Sequence, residues 1–203
     1  RPYGFAIGSN FFPADGAREY SQFSSTPRYD DVKIYALTGQ HNFGWSDLTV
    51  ATSLFDRSIT DYQDDTTSFR FFEYLQGLGA FPPFTVPAGG VSVSPENTRL
   101  FSTEVRLNTK FDGPINGVVG VYYDDRDNKF STNVFATDPA TGNPQAATQI
   151  DERNFKDITK DFAVFGEATW RITSQLSLLG GLRYYDDTRD LTSATQIPFF
   201  GLG

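Results

Sequence analysis

The segment Asp161–Asp187, DFAVFGEATWRITSQLSLLGGLRYYDD, constrains the fold more than any other part of the chain. In its first half Phe162, Val164, Gly166, Ala168 and Trp170 share one face, and Phe165, Glu167, Thr169 and Arg171 share the other. After Thr173-Ser174-Gln175 the alternation resumes, with Leu176, Leu178, Gly180, Leu182 and Tyr184 opposed to Ser177, Leu179, Gly181, Arg183 and Tyr185. Period-2 alternation of this length predicts two strands joined by a tight turn. Each apolar face spans about ten residues and carries aromatics at its ends, while charges sit mid-strand on the opposite face. That pattern suits a strand with lipid on one side and a wet interior on the other.

The same pattern recurs twice upstream. Strands are predicted over about 32–43 and 48–62, and again over 98–111 and 115–124, joined by turns at Gly44–Asp47 and Asp112-Gly113-Pro114. The hairpins are thus about 32–62, 98–124 and 160–187, and residues 1–31, 63–97 and 125–159 read as loops, with a tail after Asp187. Within 63–97, Phe69–Leu78 predicts a short helix ended by Gly77 or Gly79, and Pro82, Pro83, Pro87 and Pro95 argue against regular structure beyond it. Short turns alternating with loops of about 35 residues are expected of outer-membrane barrels, with short periplasmic turns and long outer loops. The fold class is therefore all-β: an antiparallel up-and-down meander, about six strands of a large transmembrane β-barrel. Aromatics mark both ends of the strands: Phe43, Trp45, Phe111 and Trp170 by the short turns, and Phe101, Tyr122, Tyr123, Phe162, Tyr184 and Tyr185 by the long loops.

Composition narrows the alternatives. The chain has no Cys and no Met, so disulfides and thiolate metal sites are excluded. No Gly-rich phosphate loop and no metal-ligand or cofactor spacing appears. A net charge of −8 opposes nucleic-acid binding. With 20 Phe, 10 Tyr and 2 Trp but sparse aliphatic residues, the chain is better supplied for interfaces than for a globular core. The absence of Met and of a leader-like segment at Arg1 is read as the mark of an internal piece of a longer protein, or of a processed or incomplete one.

Residues 98–124 and 161–187 resemble barrel strands of TonB-dependent outer-membrane receptors. The matching pieces are Phe101–Leu107 (FSTEVRL), Val119–Tyr123 (VGVYY), Phe165–Trp170 (FGEATW) and Gly181–Tyr184 (GLRY). The resemblance extends by topology to 32–62. It implies a 22-stranded barrel in the outer membrane of a Gram-negative bacterium, with its lumen blocked by a plug domain. It also implies uptake of a scarce ligand such as a ferric siderophore, driven through TonB. The expected partners are therefore outer-membrane lipid, the plug, TonB and a small-molecule ligand. Neither a plug nor a TonB-box segment is found within these residues.

Five residues are candidates for ligand contact: Phe71, Phe72 and Tyr74 in the aromatic loop that also holds Phe69, Phe81 and Phe84, and Arg106 and Arg183 facing the lumen. The competing account has the loop aromatics capping the barrel. In the same account the lumen charges, Glu104, Arg106, Glu167, Arg171 and Arg183, serve as cross-strand pairs that keep a wet interior satisfied. The acidic clusters Asp64-Asp65, Asp124-Asp125-Asp127 and Asp186-Asp187-Asp190 match no Ca²⁺ loop and read as solvated loop ends. His41, the only histidine, shares a face with Leu37 and Phe43 near a turn and reads as an interfacial residue rather than half of a nucleophile–His pair. No enzyme is expected. The rivals to an uptake receptor are a passive porin or structural barrel, and a secreted soluble β-sandwich that binds carbohydrate.

Overall fold

The computed structural model describes residues 24–80, 87 and 89–198. Their backbone is dominated by β1 (Arg28–Asn42), β2 (Ser46–Asp64), β3 (Gly90–Thr109), β4 (Ile115–Thr137), β5 (Pro144–Arg171) and β6 (Ser177–Ile197), with a single helix, α1 (Thr66–Gly77). The strands form one antiparallel sheet in the order β1-β2-β3-β4-β5-β6. Each strand pairs with its sequence neighbour, as an up-and-down meander requires. No second sheet packs against it among the described residues, which removes the β-sandwich alternative. No described helix is long and apolar enough to cross a membrane, so any crossing falls to the strands.

At one end the turns are short and held by side chains. Gly44 takes φ 87°, a left-handed conformation that disfavours L side chains, and its N–H donates to Asn42 Oδ1 at 2.6 Å. In the β3–β4 turn, Asn116 clasps Phe111, accepting from its N–H at 2.7 Å and donating to its carbonyl at 2.9 Å. Thr173 Oγ1 accepts from the N–H groups of Gln175 and Leu176 at 3.2 and 3.0 Å, closing the β5–β6 turn.

The other end departs from the sequence reading. Segment 125–159, expected as a loop, is mostly strand: β4 runs on to Thr137, β5 starts at Pro144, and the connection is only residues 138–143. There Asp138 Oδ1 accepts from the N–H groups of Ala140 and Thr141, and Gly142 adopts φ 70°. Likewise β3 begins at Gly90 inside the expected loop 63–97, β1 begins at Arg28, and β6 continues past Asp187 to Ile197. Pro95 lies within β3, opposite Thr60 of β2, and drops out only from the ladder to β4. The reason is physical. Ladder hydrogen bonds are made by the backbone, whereas hydrophobic alternation appears only where one face leaves water. With 28 residues at about 3.4 Å each, β5 is roughly 95 Å long, several times an apolar band of about 25 Å even after tilting by about 40°.

The helix was expected and is present. Residues 1–23, Phe81, Pro82, Pro83, Phe84 and the end of the tail lie outside the described residues. A small core sits under α1, where Phe69 and Val91 are fully buried. The Phe69 ring occupies the space over Gly90, where an added Cβ would approach Phe69 Cζ to 2.4 Å.

Candidate functional site

The register carries one face unbroken through all the strands. Leu48, Leu107, Val119, Gly166 and Leu182 fall in one row, and Val50, Val105, Val121, Val164 and Tyr184 in the next. This apolar face is open: Val119 is 53% and Leu182 88% exposed. At the short-turn end it is bounded by touching rings. His41 meets Phe43 edge-on at 4.4 Å, Phe43 lies 6.4 Å from Trp45, and Trp45 stacks on Phe111 at 6.1 Å. Phe101, Tyr123, Phe162 and Tyr184 bound it at the other end, whereas Tyr122 and Tyr185 belong to the opposite face. Along β5, Phe162 to Trp170 spans roughly 21 Å of height at about 3.4 Å per residue and a tilt of about 40°.

The opposite face carries Glu104, Arg106, Glu167, Arg171 and Arg183. Arg106, Gly120, Phe165 and Arg183 lie in one row across β3 to β6. That places the two arginines on the same face, three strand spacings or roughly 14 Å apart. Phe165 folds over Gly120, where an added Cβ would come within 2.4 Å of the ring. The Arg183 guanidinium lies 5.9 Å from the Tyr122 ring centroid and 5.9 Å from that of Phe165. Arg106 approaches Glu104 of its own strand at 3.6 Å, so this ion pair runs along the strand rather than across it. Arg171 donates to the Gly113 carbonyl at 2.9 Å, tying the β5 end to the neighbouring turn.

Beside these rows stands one that the sequence reading missed: Asp124, Asp161 and Asp187 are direct neighbours across β4, β5 and β6. They are mid-strand residues, so Asp124 and Asp187 are not the loop ends expected of their clusters. Tyr122 donates to Asp124 at 2.8 Å and Tyr185 to Asp161 at 3.0 Å. The signal was available, because all three carboxylates keep the phase of the wet face. Among the described residues, no group of three or more His, Asp or Glu is placed to hold a metal ion.

Phe71, Phe72 and Tyr74 lie elsewhere, on α1. The helix begins at an Asp pair: Asp64 Oδ1 accepts from Thr66 N–H at 2.9 Å, and Ser92 donates to Asp65. Burial pushes the Asp65 carboxyl above its ordinary range, against the opposing effect of the Ser92 hydrogen bond. Phe71 and Phe72 meet edge-on at 6.1 Å, and Phe71 is exposed. From Gly90, beneath the helix, to Arg106 is roughly 54 Å along β3 at about 3.4 Å per residue. The two arginines share one level, and the aromatic trio sits far from them at the opposite end.

The model of the TonB dependent receptor-like β-barrel family matches residues 1–202. The chain belongs to that family. Members of the TonB-dependent receptor family are outer-membrane receptors of Gram-negative bacteria, not enzymes. Solved structures that share the fold include two uptake proteins. The ferric yersiniabactin uptake receptor FyuA from Yersinia pestis aligns with a TM-score of 0.63 at 13% identity, over 87% of this chain and 24% of its own. The ferric citrate transporter FecA, in its unliganded form, aligns with a TM-score of 0.52 at 12% identity, over 83% and 22%. The chain thus spans about a quarter of the length of these two proteins. No curated protein matches it by sequence.

Proposed function

We propose that the chain forms part of the barrel wall of an outer-membrane receptor that takes up a scarce ligand such as a ferric siderophore, driven through TonB. The observation that carries this is the apolar face, held in register across six strands and backed by a charged, hydrogen-bonded face. Such a sheet suits lipid outside and water inside. Among the described residues both outer strands present unpaired backbone groups, which a bilayer does not tolerate, and in this reading β1 and β6 are closed by pairing within the barrel. The ferric cargoes of FyuA and FecA support a chelated metal as ligand. In this reading the short turns face the periplasm, and α1 and the 138–143 loop lie outside the cell. Arg106 and Arg183 line the path beside a plug domain, and Phe71, Phe72 and Tyr74 meet ligand at the outer mouth.

The test is growth of the source bacterium with a ferric siderophore as sole iron source. Deleting the gene should abolish growth on one such chelate. The intact gene should restore it only in cells with working TonB. Restoration without TonB would indicate a passive porin instead.

A further inference from the structure

The helix α1 is fastened to the start of β3 through its first turn. Asp65 N–H donates to the Gly90 carbonyl at 2.9 Å, Gly90 N–H donates to Thr66 Oγ1 at 3.3 Å, and Phe69 lies over Gly90. Asp65 occupies the N-cap of the helix, yet its side chain makes no capping bond. An N-cap carboxylate ordinarily accepts from the free N–H groups of the first turn, which favour its charged form. Here Asp64 takes the Thr66 N–H, and the Asp65 carboxyl instead accepts from Ser92 on the sheet. Ser92, Val134 and Asp151 form one row across β3, β4 and β5, so Asp65 and Asp151 lie over the same face. The Asp151 side chain is only 3% exposed, and its Oδ1 is buried without a hydrogen-bond donor among the described residues. Its Oδ2 meets Arg153 at 3.3 Å. The charges that bear on Asp65 are both negative, those of Asp64 and Asp151. Arg70 of the same helix pairs with Glu73 at 2.8 Å. Burial pushes both carboxyls, Asp65 and Asp151, above the ordinary carboxylate range, against Ser92 at the first and Arg153 at the second.

We propose that Asp65 and Asp151 form a proton-operated latch that holds α1 against the sheet. A proton taken up by the pair leaves a single charge on this buried face, and Arg153 answers it. With both carboxylates ionised, two like charges share the face, and the first turn of α1 loosens from β3. The docked helix binds the proton more tightly than the released one. Docking is therefore complete below the ordinary value of 3.8 and weakens as pH rises through the raised values. For one proton the docked-to-released ratio falls by up to about tenfold per pH unit. External pH then sets how Phe71, Phe72 and Tyr74 are held over the outer mouth. That meaning rests on the placement of α1 proposed above, whereas the latch is measured on the protein alone.

The experiment uses the full-length receptor in detergent, spin-labelled through Ser68→Cys on α1 and Asn97→Cys on β3, both exposed positions. Pulsed electron spin resonance reads the label separation at acidic and at neutral pH. In acid a single narrow separation is expected; toward neutral pH a second, longer population should grow. Asp65→Asn and Asp151→Asn, which keep the shape and remove the charge, should each hold the narrow separation at neutral pH. Asp125→Asn, whose carboxylate pairs with Lys160 on the other face, should respond to pH as the parent does. A separation that ignores pH overturns the latch. So does release of α1 in acid by Asp151→Asn, which would make that carboxylate only a structural partner of Arg153. Calcium chloride that restores the narrow separation at neutral pH as fully as acid would make the pair a cation site and overturn it too. If an Asn variant does not fold, the parent carries the test: a slope near tenfold per pH unit is expected, and a flat response refutes the latch. The separation is measured without ligand, so a failure of siderophore uptake bears on the proposed function alone.

Discussion

Three leucines of β6 make the membrane assignment measurable. Leu178, Leu179 and Leu182 are all exposed, at 59, 61 and 88%. They differ in face and in depth. Leu182 pairs with Gly166, the midpoint of the Phe162–Trp170 span, while Leu178 pairs with Trp170 at its border. At about 3.4 Å per residue and a tilt of about 40°, Leu182 lies roughly 10 Å from either aromatic border and Leu178 lies on one. Leu179 points to the opposite, wet face with Arg183. Changing each in turn to Arg should cost about 2–4 kcal/mol at Leu182, about 0–1 at Leu178, and under about 1 at Leu179. At about 1.4 kcal/mol per tenfold, the Leu182 change lowers the folded-to-unfolded ratio by about 30-fold or more. The assay is equilibrium unfolding by guanidinium of the full-length receptor in lipid vesicles, followed by intrinsic fluorescence. Equal costs at Leu179 and Leu182 would refute the assignment of faces. Equal costs at Leu178 and Leu182 would refute the assignment of depth.

Other outcomes follow from the packing. Gly120→Val should collide with the Phe165 ring, lower stability by about 1–3 kcal/mol as overpacking does, and be partly relieved by a second Phe165→Ala change, read by thermal melting. Gly90→Ala should displace Phe69 from beneath α1; chymotrypsin should then cut faster at Phe71, Phe72 and Tyr74, while the sheet keeps its melting temperature. The raised carboxyl of Asp65 means that burial penalises its charged form, so its favourable contribution is complete below the ordinary value of 3.8 and is lost as pH rises through the raised one. Amide protection of Thr66–Gly77, corrected for intrinsic exchange, should therefore be greater at acidic than at neutral pH, and Asp65→Asn should flatten that difference.

The hairpin of β5 and β6 was legible because lipid-facing alternation is written in side chains: Val164, Ala168, Leu178 and Leu182 cannot exchange faces with Glu167 and Arg183 without placing charge in an apolar medium. The helix was legible from its composition and its terminal glycines. The outer halves of β4 and β5 were not. Residues such as Arg126, Asn128, Lys129 and Thr132 meet water on both sides, so nothing in their order distinguishes a strand from a loop. Their strand state comes from backbone pairing and from partners such as Asp157 and Arg189, joined at 2.6 and 2.9 Å across neighbouring strands. Of the candidate site, the charge and phase of Arg106 and Arg183 were readable. Their shared row, and the carboxylates of Asp124, Asp161 and Asp187 beside it, depend on register.

Which segments alternate, which face of each is apolar, and where the turns of the short end fall can be read along the chain, because these depend on residues adjacent in it. How far the strands run and which residues share a row are set by the folded sheet. It also seats Phe69 over Gly90 and brings Asp124, Asp161 and Asp187 into one row. Such juxtapositions join residues up to about sixty positions apart, and the backbone ladder that fixes their register carries almost no signature in residue type.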